Sequence, residues 1–99
     1  MIGLVADESV RVLNLSLGGI GLECPKALRV DKTYPVVLSG HGEVIELPGT
    51  ARWCHAATDR NLAEGEMPPY NAGLRFVLRV EELHALYSFL GAELAQQSM

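Results

Sequence analysis

Cysteine is scarce in this sequence, and so are aromatic residues, long apolar runs and basic charge. Two cysteines, Cys24 and Cys54, are too few for the disulfide framework of a small secreted scaffold. No apolar segment approaches the roughly 20 residues that cross a bilayer, and no signal peptide opens the chain. We therefore expect a cytoplasmic protein without membrane insertion. Acidic residues outnumber basic ones by 12 to 8, which argues against binding to a nucleic-acid polymer.

Motifs of catalysis and of metal binding are also missing. The sequence has no Gly-x-Ser-x-Gly, P-loop or His-Glu-x-x-His pattern. Its histidines, His41, His55 and His84, fall on a predicted turn, strand and helix, without the spacing of a metal-ligand set. Cys54 and His55 are adjacent on a strand and therefore point to opposite faces. We predict no enzyme, no metal site and no cofactor.

The composition is typical of a soluble globular protein, and we predict one domain over residues 1–99. The chain is 48% hydrophobic and 20% charged. At this length, a single core must contain nearly every long apolar segment. Apolar residues alternate with polar ones between turn signals, which predicts several short strands within about residues 2–78. We take Pro48-Gly49 as a turn and residues 58–70 as a polar hairpin loop.

The hydrophobic period changes after Val80 and predicts a helix over about residues 80–96. Glu81 and Glu82 lie in its first turn, where the positive end of the helix dipole favours carboxylates. Its predicted apolar stripe comprises Leu83, Leu86, Tyr87, Leu90 and Leu94. Phe89 falls off this stripe, so it either extends the core edge or is an exposed apolar handle for a partner. Strands followed by one helix favour a small antiparallel barrel with a lid.

The most informative segment runs from Asn14 to Glu23. It exposes two polar side chains two residues apart, at Asn14 and Ser16, and then turns tightly at Gly18 and Gly19. Asparagine and serine together offer the donors and acceptors that read the edge of a planar base, and glycine lets the backbone approach a flat ligand. The same residue types also stabilise ordinary turns by bonding their own backbone. On composition alone, the purely structural role is favoured.

The spacing Asn14-x-Ser16-x-x-Gly19, which follows a short strand and leads into another, resembles the Asp/Asn-x-Ser-x-x-Gly motif of PilZ domains. The segments Gly49–Trp53 and Tyr70–Val77 are similar to the closing strands of that family, and a terminal helix follows. The resemblance extends over nearly the whole chain. It implies a mainly β fold, a six-stranded antiparallel β-barrel with one C-terminal α-helix. It also implies a non-catalytic bacterial receptor for the second messenger cyclic di-GMP.

Matched by position, Asn14, Ser16 and Gly19 would contact a guanine base and the sugar-phosphate edge of cyclic di-GMP, with Gly18 beside them. The family's second half-site is an Arg-x-x-x-Arg motif before the first strand, whose guanidinium groups hold phosphates and stack on guanine. No such motif precedes Asn14 here, where Arg11 is the only arginine and lies within a predicted strand. Each lost charge-assisted contact is worth about 1.5–3 kcal/mol. We therefore expect binding weakened by roughly two to four decades.

Several explanations for the missing arginines are open. In the first, this piece has lost an upstream arginine-bearing segment, or the natural chain simply starts here; where such a segment exists, ligand would order it as an arm against the barrel and shift the position of a partner protein. Alternatively, the domain is a divergent PilZ member that binds no cyclic di-GMP and contacts another protein, such as motility or pilus-assembly machinery. A third hypothesis is an unrelated barrel whose Asn-Ser-Gly turn is purely structural.

Three arginines outside the motif, Arg11, Arg52 and Arg75, are further candidates for ligand contacts. Arg52 and Arg75 lie opposite the predicted core face and form a cationic patch if their strands are neighbours. The alternative, which we favour, is that they are solvated and paired with nearby carboxylates, an arrangement that contributes little. Trp53 shares its predicted face with Ala51, so we expect it to be a core anchor rather than a stacking surface.

Overall fold

The structure, a computed structural model, describes residues 1–57 and 67–97, with side chains described as far as residue 92. Within these residues the chain forms six strands and a C-terminal helix: β1 (Ile2–Val5), β2 (Glu8–Leu15), β3 (Gly19–Cys24), β4 (Thr33–Gly40), β5 (Glu43–Ala56), β6 (Tyr70–Phe76) and α1 (Val80–Gln97). Neighbouring strands pair antiparallel and close into a barrel in the order β1-β2-β3-β6-β5-β4. The predicted fold class is confirmed.

Two tight turns connect the strands of the first and third hairpins of the barrel. Ala6 and Asp7 connect β1 to β2 with φ angles of 49° and 66°, and His41 and Gly42 connect β4 to β5 with φ angles of 41° and 80°. Positive φ at both central residues is typical of type I′ turns, whose twist matches that of the flanking strands. Both turns lie where the sequence predicts a break between strands.

Two β-bulges change which side chains face outward. The pairing register shifts between Val12 and Asn14 in β2, and between Ala51 and Trp53 in β5. A bulge places one extra residue in a strand, so the alternation of faces is out of step beyond it. The prediction that Ala51 and Trp53 share a face is therefore wrong: Ala51 is fully buried, whereas Trp53 is 45% exposed.

The core is formed by the inward side chains of the strands and by two residues of the helix. In β6 the alternation is regular, with Ala72, Leu74 and Phe76 buried as predicted. The remaining buried members of the core cluster are Val5, Ile20, Leu22, Cys24, Tyr34, Val36, Leu38, Leu47, Ala51, Leu86 and Phe89. No polar or charged residue is among the buried side chains that the structure describes.

The predicted turn at Pro48-Gly49 is wrong, because β5 continues through both residues. Pro48 pairs with Pro35 of β4, and neither proline needs an N–H in this ladder. The Pro35 carbonyl accepts a hydrogen bond from Ala6 N–H, and the Pro48 carbonyl accepts one from Val77 N–H. In a strand, the N–H and C=O of one residue point to the same side. The side on which each proline lacks an N–H donor therefore faces away from the β4–β5 pair. Of the predicted polar loop, residues 58–66 lie outside the described residues.

Helix α1 begins with a carboxylate cap and packs on a face that overlaps the predicted stripe at Leu86 and Leu90. Glu82 Oε1 accepts a hydrogen bond of 2.9 Å from Arg79 N–H, which is half of a capping box. Leu86 and Phe89 are fully buried, whereas Leu83 and Tyr87 are 40% and 69% exposed. Phe89 therefore extends the core. Among the described residues, no helix combines the length and the apolar character that spanning a membrane requires.

Candidate functional site

A row of four residues crosses the outer face of four adjacent strands. Asn14 of β2 pairs with Gly21 of β3, Gly21 pairs with Gly73 of β6, and Gly73 pairs with Trp53 of β5. The two central positions have no side chain, so the row has a glycine floor of backbone, which the side chains of Asn14 and Trp53 cover; both glycines are buried. Glycine at such strand positions permits close approach of another group.

Asn14 is exposed and leans over Gly21. Its Oδ1 accepts a hydrogen bond of 3.1 Å from Gly21 N–H across the strand pair. A Cβ atom at Gly21 would lie only 2.7 Å from Asn14 Nδ2, so the glycine creates the space that the carboxamide occupies. The bond uses the acceptor of Asn14 and leaves its two Nδ2 hydrogens as donors toward solvent.

Trp53 occupies the other end of the floor, with its indole ring over Gly73. A Cβ atom at Gly73 would overlap this ring, approaching Cζ2 to 2.9 Å. His55, two residues along on the same face, stacks on the indole with ring centroids 5.1 Å apart and an interplanar angle of 18°. Trp53 is thus an outward aromatic ring, 45% exposed, that contacts Gly73 and stacks on His55, and the expectation of a core anchor is wrong. The cause is the bulge at Arg52.

The turn between β2 and β3 forms the next row of the same surface. Ser16 Oγ accepts a hydrogen bond of 3.2 Å from Gly18 N–H, and Ser16 N–H donates to the Gly19 carbonyl at 3.0 Å. Phe76 N–H donates to the Gly18 carbonyl at 3.0 Å, which ties this turn to the end of β6. Gly19 pairs with Arg75 of β6, so the predicted motif and one predicted arginine lie side by side.

These residues surround one open cleft of about 250 Å³, called the Asn14–Trp53 cleft below. Its lining comprises Asn14, Ser16, Gly18, Gly19, Ile20, Gly21, Arg52, Trp53, Gly73, Leu74 and Arg75. The lining includes two guanidinium groups and no carboxylate. Neither Arg52 nor Arg75 forms a salt bridge with a residue that the structure describes. The cleft is therefore a locally cationic site on a chain of net charge −4.

Arg11 is the one candidate arginine that lies apart from this cleft. It belongs to β2, pairs with Glu23 of β3, and lines a separate cleft with Ser9 and Pro25. The sequence does contain one arginine pair with the family's Arg-x-x-x-Arg spacing, Arg75 and Arg79. That pair lies at the end of β6 and the start of the helix, and only Arg75 lines the Asn14–Trp53 cleft.

The two cysteines are free thiols whose side chains hold the β3–β4 connection. Cys24 Sγ–H donates to the Lys26 carbonyl at 3.2 Å, and Leu28 N–H donates to Cys54 Sγ at 3.4 Å. Burial, with smaller contributions from Cys54 and Glu23, raises the pKa of Cys24 from 9.0 to about 11. Since this pKa is higher in the folded chain than in the unfolded one, its contribution to stability is complete below pH 9 and is lost as the pH rises toward 11.

We expect Cys24 to resist alkylation in the folded chain. Iodoacetamide reacts with the thiolate, and the raised pKa keeps this form rare at pH 8. In a Cys54→Ser variant, where Cys24 is the remaining thiol, labelling followed by mass spectrometry should be at least about tenfold slower in the folded than in the urea-unfolded chain. Equal rates in the two states would contradict this.

Sequence reasoning found the motif and named Arg52 and Arg75 as candidates, and all of these line the cleft; it missed Gly21, Gly73 and the outward ring of Trp53. Gly21 and Gly73 take the outward positions of the apolar alternation in their strands, which is a local sign of close approach by another group. The orientation of Trp53 has no such sign, because it depends on a bulge formed only when β5 pairs with β6.

A comparison of the sequence with known protein families identifies the domain. The family model of the PilZ domain matches residues 5–91. No curated protein and no solved structure matches the chain. The match includes β2 to β6, both sides of the Asn14–Trp53 cleft and most of the helix. The chain belongs to the PilZ domain family.

Proposed function

We propose that this PilZ domain is a non-catalytic receptor that binds cyclic di-GMP in the Asn14–Trp53 cleft. The observation that carries the proposal is the four-residue row in which Asn14 and the exposed ring of Trp53 lie over a glycine floor and line one cleft. PilZ domains are in general non-catalytic binding domains, and the family suggests signalling related to cyclic di-GMP. The cytoplasmic location stays a prediction.

The two side chains over the glycine floor suit one purine base. The exposed part of the Trp53 ring offers a stacking partner, and base–aromatic stacking is worth about 1–3 kcal/mol. The free Nδ2 hydrogens of Asn14 and the hydroxyl of Ser16 supply donors for the acceptors on a guanine edge. The cleft of about 250 Å³ is smaller than most pockets for drug-sized ligands, so we place one base and its phosphate in it rather than the whole dinucleotide.

Arg52 and Arg75 would contact the phosphate beside that base. Both guanidinium groups line the cleft and neither pairs with a described carboxylate. Planar guanidinium groups bind phosphate oxygens in pairs of parallel hydrogen bonds. These two arginines would replace part of the charge that the family's upstream arginines supply. We therefore expect the 99-residue chain to bind cyclic di-GMP, but more weakly than a PilZ domain that also has the upstream arginines.

Titration with cyclic di-GMP tests the proposal directly, because Trp53 is the single tryptophan of the chain. Ligand that stacks on Trp53 should change its fluorescence, and calorimetry should give the same dissociation constant. Cyclic di-AMP is the matched control ligand, since adenine presents a different donor and acceptor edge. The same titration of a chain with any upstream residues that its gene encodes measures the contribution of an arginine segment. If neither chain binds cyclic di-GMP, the proposal is contradicted and a PilZ-fold protein-interaction module is favoured.

We expect Ser16→Ala to lower the affinity for cyclic di-GMP by about three- to tenfold, the loss of one hydrogen bond. The melting temperature should hardly change, because Ser16 is exposed and water can replace it as acceptor for Gly18 N–H. Ser88→Ala, at an exposed position on α1, is the matched control and should leave both quantities unchanged. If affinity instead follows the fraction of folded protein, Ser16 has only a structural role.

A further inference from the structure

The outer surface of β1, β4 and the first half of β5 is unusually apolar. Two cross-strand rows form it: Ile2–Ser39–Val44 and Leu4–Val37–Glu46. Ile2 and Val44 are 65% and 69% exposed, and Leu4 and Val37 are half-buried. These rows, together with Glu43 next to them, are called the apolar–acidic face below. It lies on strands β1 and β4, which take no part in the Asn14–Trp53 cleft.

Two open clefts extend the apolar–acidic face along β5. The first, of about 400 Å³, is lined by residues that include Met1, Ile2, Glu43 and Val44. The second, of about 390 Å³, is lined by residues that include Pro35, Glu46, Pro48 and Glu82. Each cleft thus combines apolar walls with at least one carboxylate, and the carboxylates lie on β5 and the helix rather than on β1. The surface thus combines apolar side chains with acidic groups of β5 and the helix.

Charge is segregated between the two sides of the barrel. Among the described residues that line these two clefts there is no lysine or arginine, and His41 is the one side chain there that can be positive. Lys32 lies beside the second cleft, with its Nζ 5.2 Å from the centre of the Tyr34 ring. Arg52 and Arg75, in contrast, both line the Asn14–Trp53 cleft. A partner of the apolar–acidic face must therefore supply positive charge as well as apolar area.

The closed barrel restricts how a partner can bind here. β1 pairs with both β2 and β4, and β4 pairs with both β1 and β5, so these strands have no free edge to which a peptide could add. Contact must be made through side chains. A second copy would place the carboxylates of both copies together without a cation between them, and an anionic membrane surface would be repelled in the same way.

We propose that the apolar–acidic face docks a basic amphipathic helix of a partner protein. The apolar stripe of such a helix would cover Ile2, Leu4, Val37 and Val44. Lysines or arginines on its flank would reach Glu43 and Glu46. This is the helix-in-groove mode of recognition, with charge selecting the partner and its orientation. The proposal does not depend on cyclic di-GMP, since the two surfaces share no residue.

Binding of model peptides to the whole chain, followed by fluorescence anisotropy without cyclic di-GMP, tests the proposal. Three labelled peptides of about 18 residues, or five helical turns, are compared: an amphipathic Leu/Lys helix, an amphipathic Leu/Glu helix and a Ser/Lys peptide. The Leu/Lys peptide should bind at least about tenfold more tightly than either of the others, because only it offers both apolar area and positive charge. Added salt should weaken it.

Matched variants locate the binding. Replacing Ile2 and Val44 together by serine should weaken the Leu/Lys peptide by about tenfold, whereas Val30→Ser, at a 53% exposed valine that lines neither cleft, should not. Replacing Glu43 and Glu46 together by glutamine should reduce affinity and its salt dependence, whereas Glu81→Gln on the helix should not. Amide shifts in an NMR titration should map to β1, β4 and the first half of β5.

The proposal is overturned if the Leu/Glu peptide binds as well as the Leu/Lys peptide, if no peptide binds at about 1 mM, or if the control variants weaken binding as much as the face variants. Shifts centred on Trp53 would also overturn it. A dimer in sedimentation equilibrium that the Ile2/Val44 double serine variant dissociates would assign the face to a second copy instead. Failure here leaves the cyclic di-GMP titration unaffected, so the two proposals can fail separately.

Discussion

Gly19→Ala is expected to destabilise the folded chain by about 2–3 kcal/mol, a typical cost of forcing an atom into a packed interior. A Cβ atom at Gly19 would overlap the backbone carbonyl oxygen of Leu74 on β6 and lie 3.4 Å from Arg75 Cα. Backbone cannot rotate away as a side chain can, so β3 and β6 must separate at this pair. The melting temperature should fall by roughly 10–20 °C for a domain of this size.

Gly18→Ala is the matched control, since it changes the neighbouring glycine in the same turn. A Cβ atom at Gly18 would meet nothing closer than Ser16 Oγ at 3.8 Å, so its effect should stay within about 0.5 kcal/mol. Thermal melts of both variants measure the difference. Equal losses of stability in the two variants, or no loss in Gly19→Ala, would contradict the steric argument. The expected result would assign Gly19 of the motif a packing role that holds whether or not a ligand binds.

Trp53→Ala is expected to lower the affinity for cyclic di-GMP by about 10- to 100-fold, because stacking on an aromatic ring is worth about 1–3 kcal/mol per base. The loss of stability should be about 1 kcal/mol, since the ring is 45% exposed and covers only one side of Gly73. Calorimetry reports the affinity of this variant, which has no tryptophan fluorescence. Trp53→Phe should recover most of the binding.

Tyr87→Ala removes another exposed aromatic ring, from α1, and serves as the control for non-specific stacking. It should leave the affinity unchanged. If Trp53→Ala binds cyclic di-GMP as the unmodified chain does, the ligand does not stack in the cleft. In that case the glycine floor between Asn14 and Trp53 would be a feature of strand packing alone.

The fold was within reach of sequence reasoning because its signals are local. Alternation in β6 places Ala72, Leu74 and Phe76 inside, and turn residues mark both type I′ hairpins. The helix follows from the change of period at Val80. Its buried face followed only in part, because Leu86 and Leu90 of the predicted stripe do pack on the core. Leu83, Tyr87 and Phe89 are apolar as well, and only docking on the barrel buries Phe89 and leaves Leu83 and Tyr87 exposed.

The cleft was predictable only in part. The Asn-x-Ser-x-x-Gly spacing identifies one of its sides, because the residues of a turn are neighbours in sequence. Its other side depends on β5 pairing with β6 and on the extra residue at Arg52, which turns Trp53 outward. That bulge arises from non-local register, and no pattern within β5 distinguishes it from regular alternation.

By itself, the sequence determined the number and order of most strands, the terminal helix and the polar turn at Asn14–Gly19, since periodicity and turn chemistry act between residues close along the chain. The tertiary structure alone decided that Asn14 and Trp53 share one glycine floor, that Arg52 and Arg75 meet at one cleft, and that carboxylates and apolar side chains gather on the other side of the barrel. Closing a sheet brings distant residues to fixed registers, and those registers depend on contacts made across the whole chain.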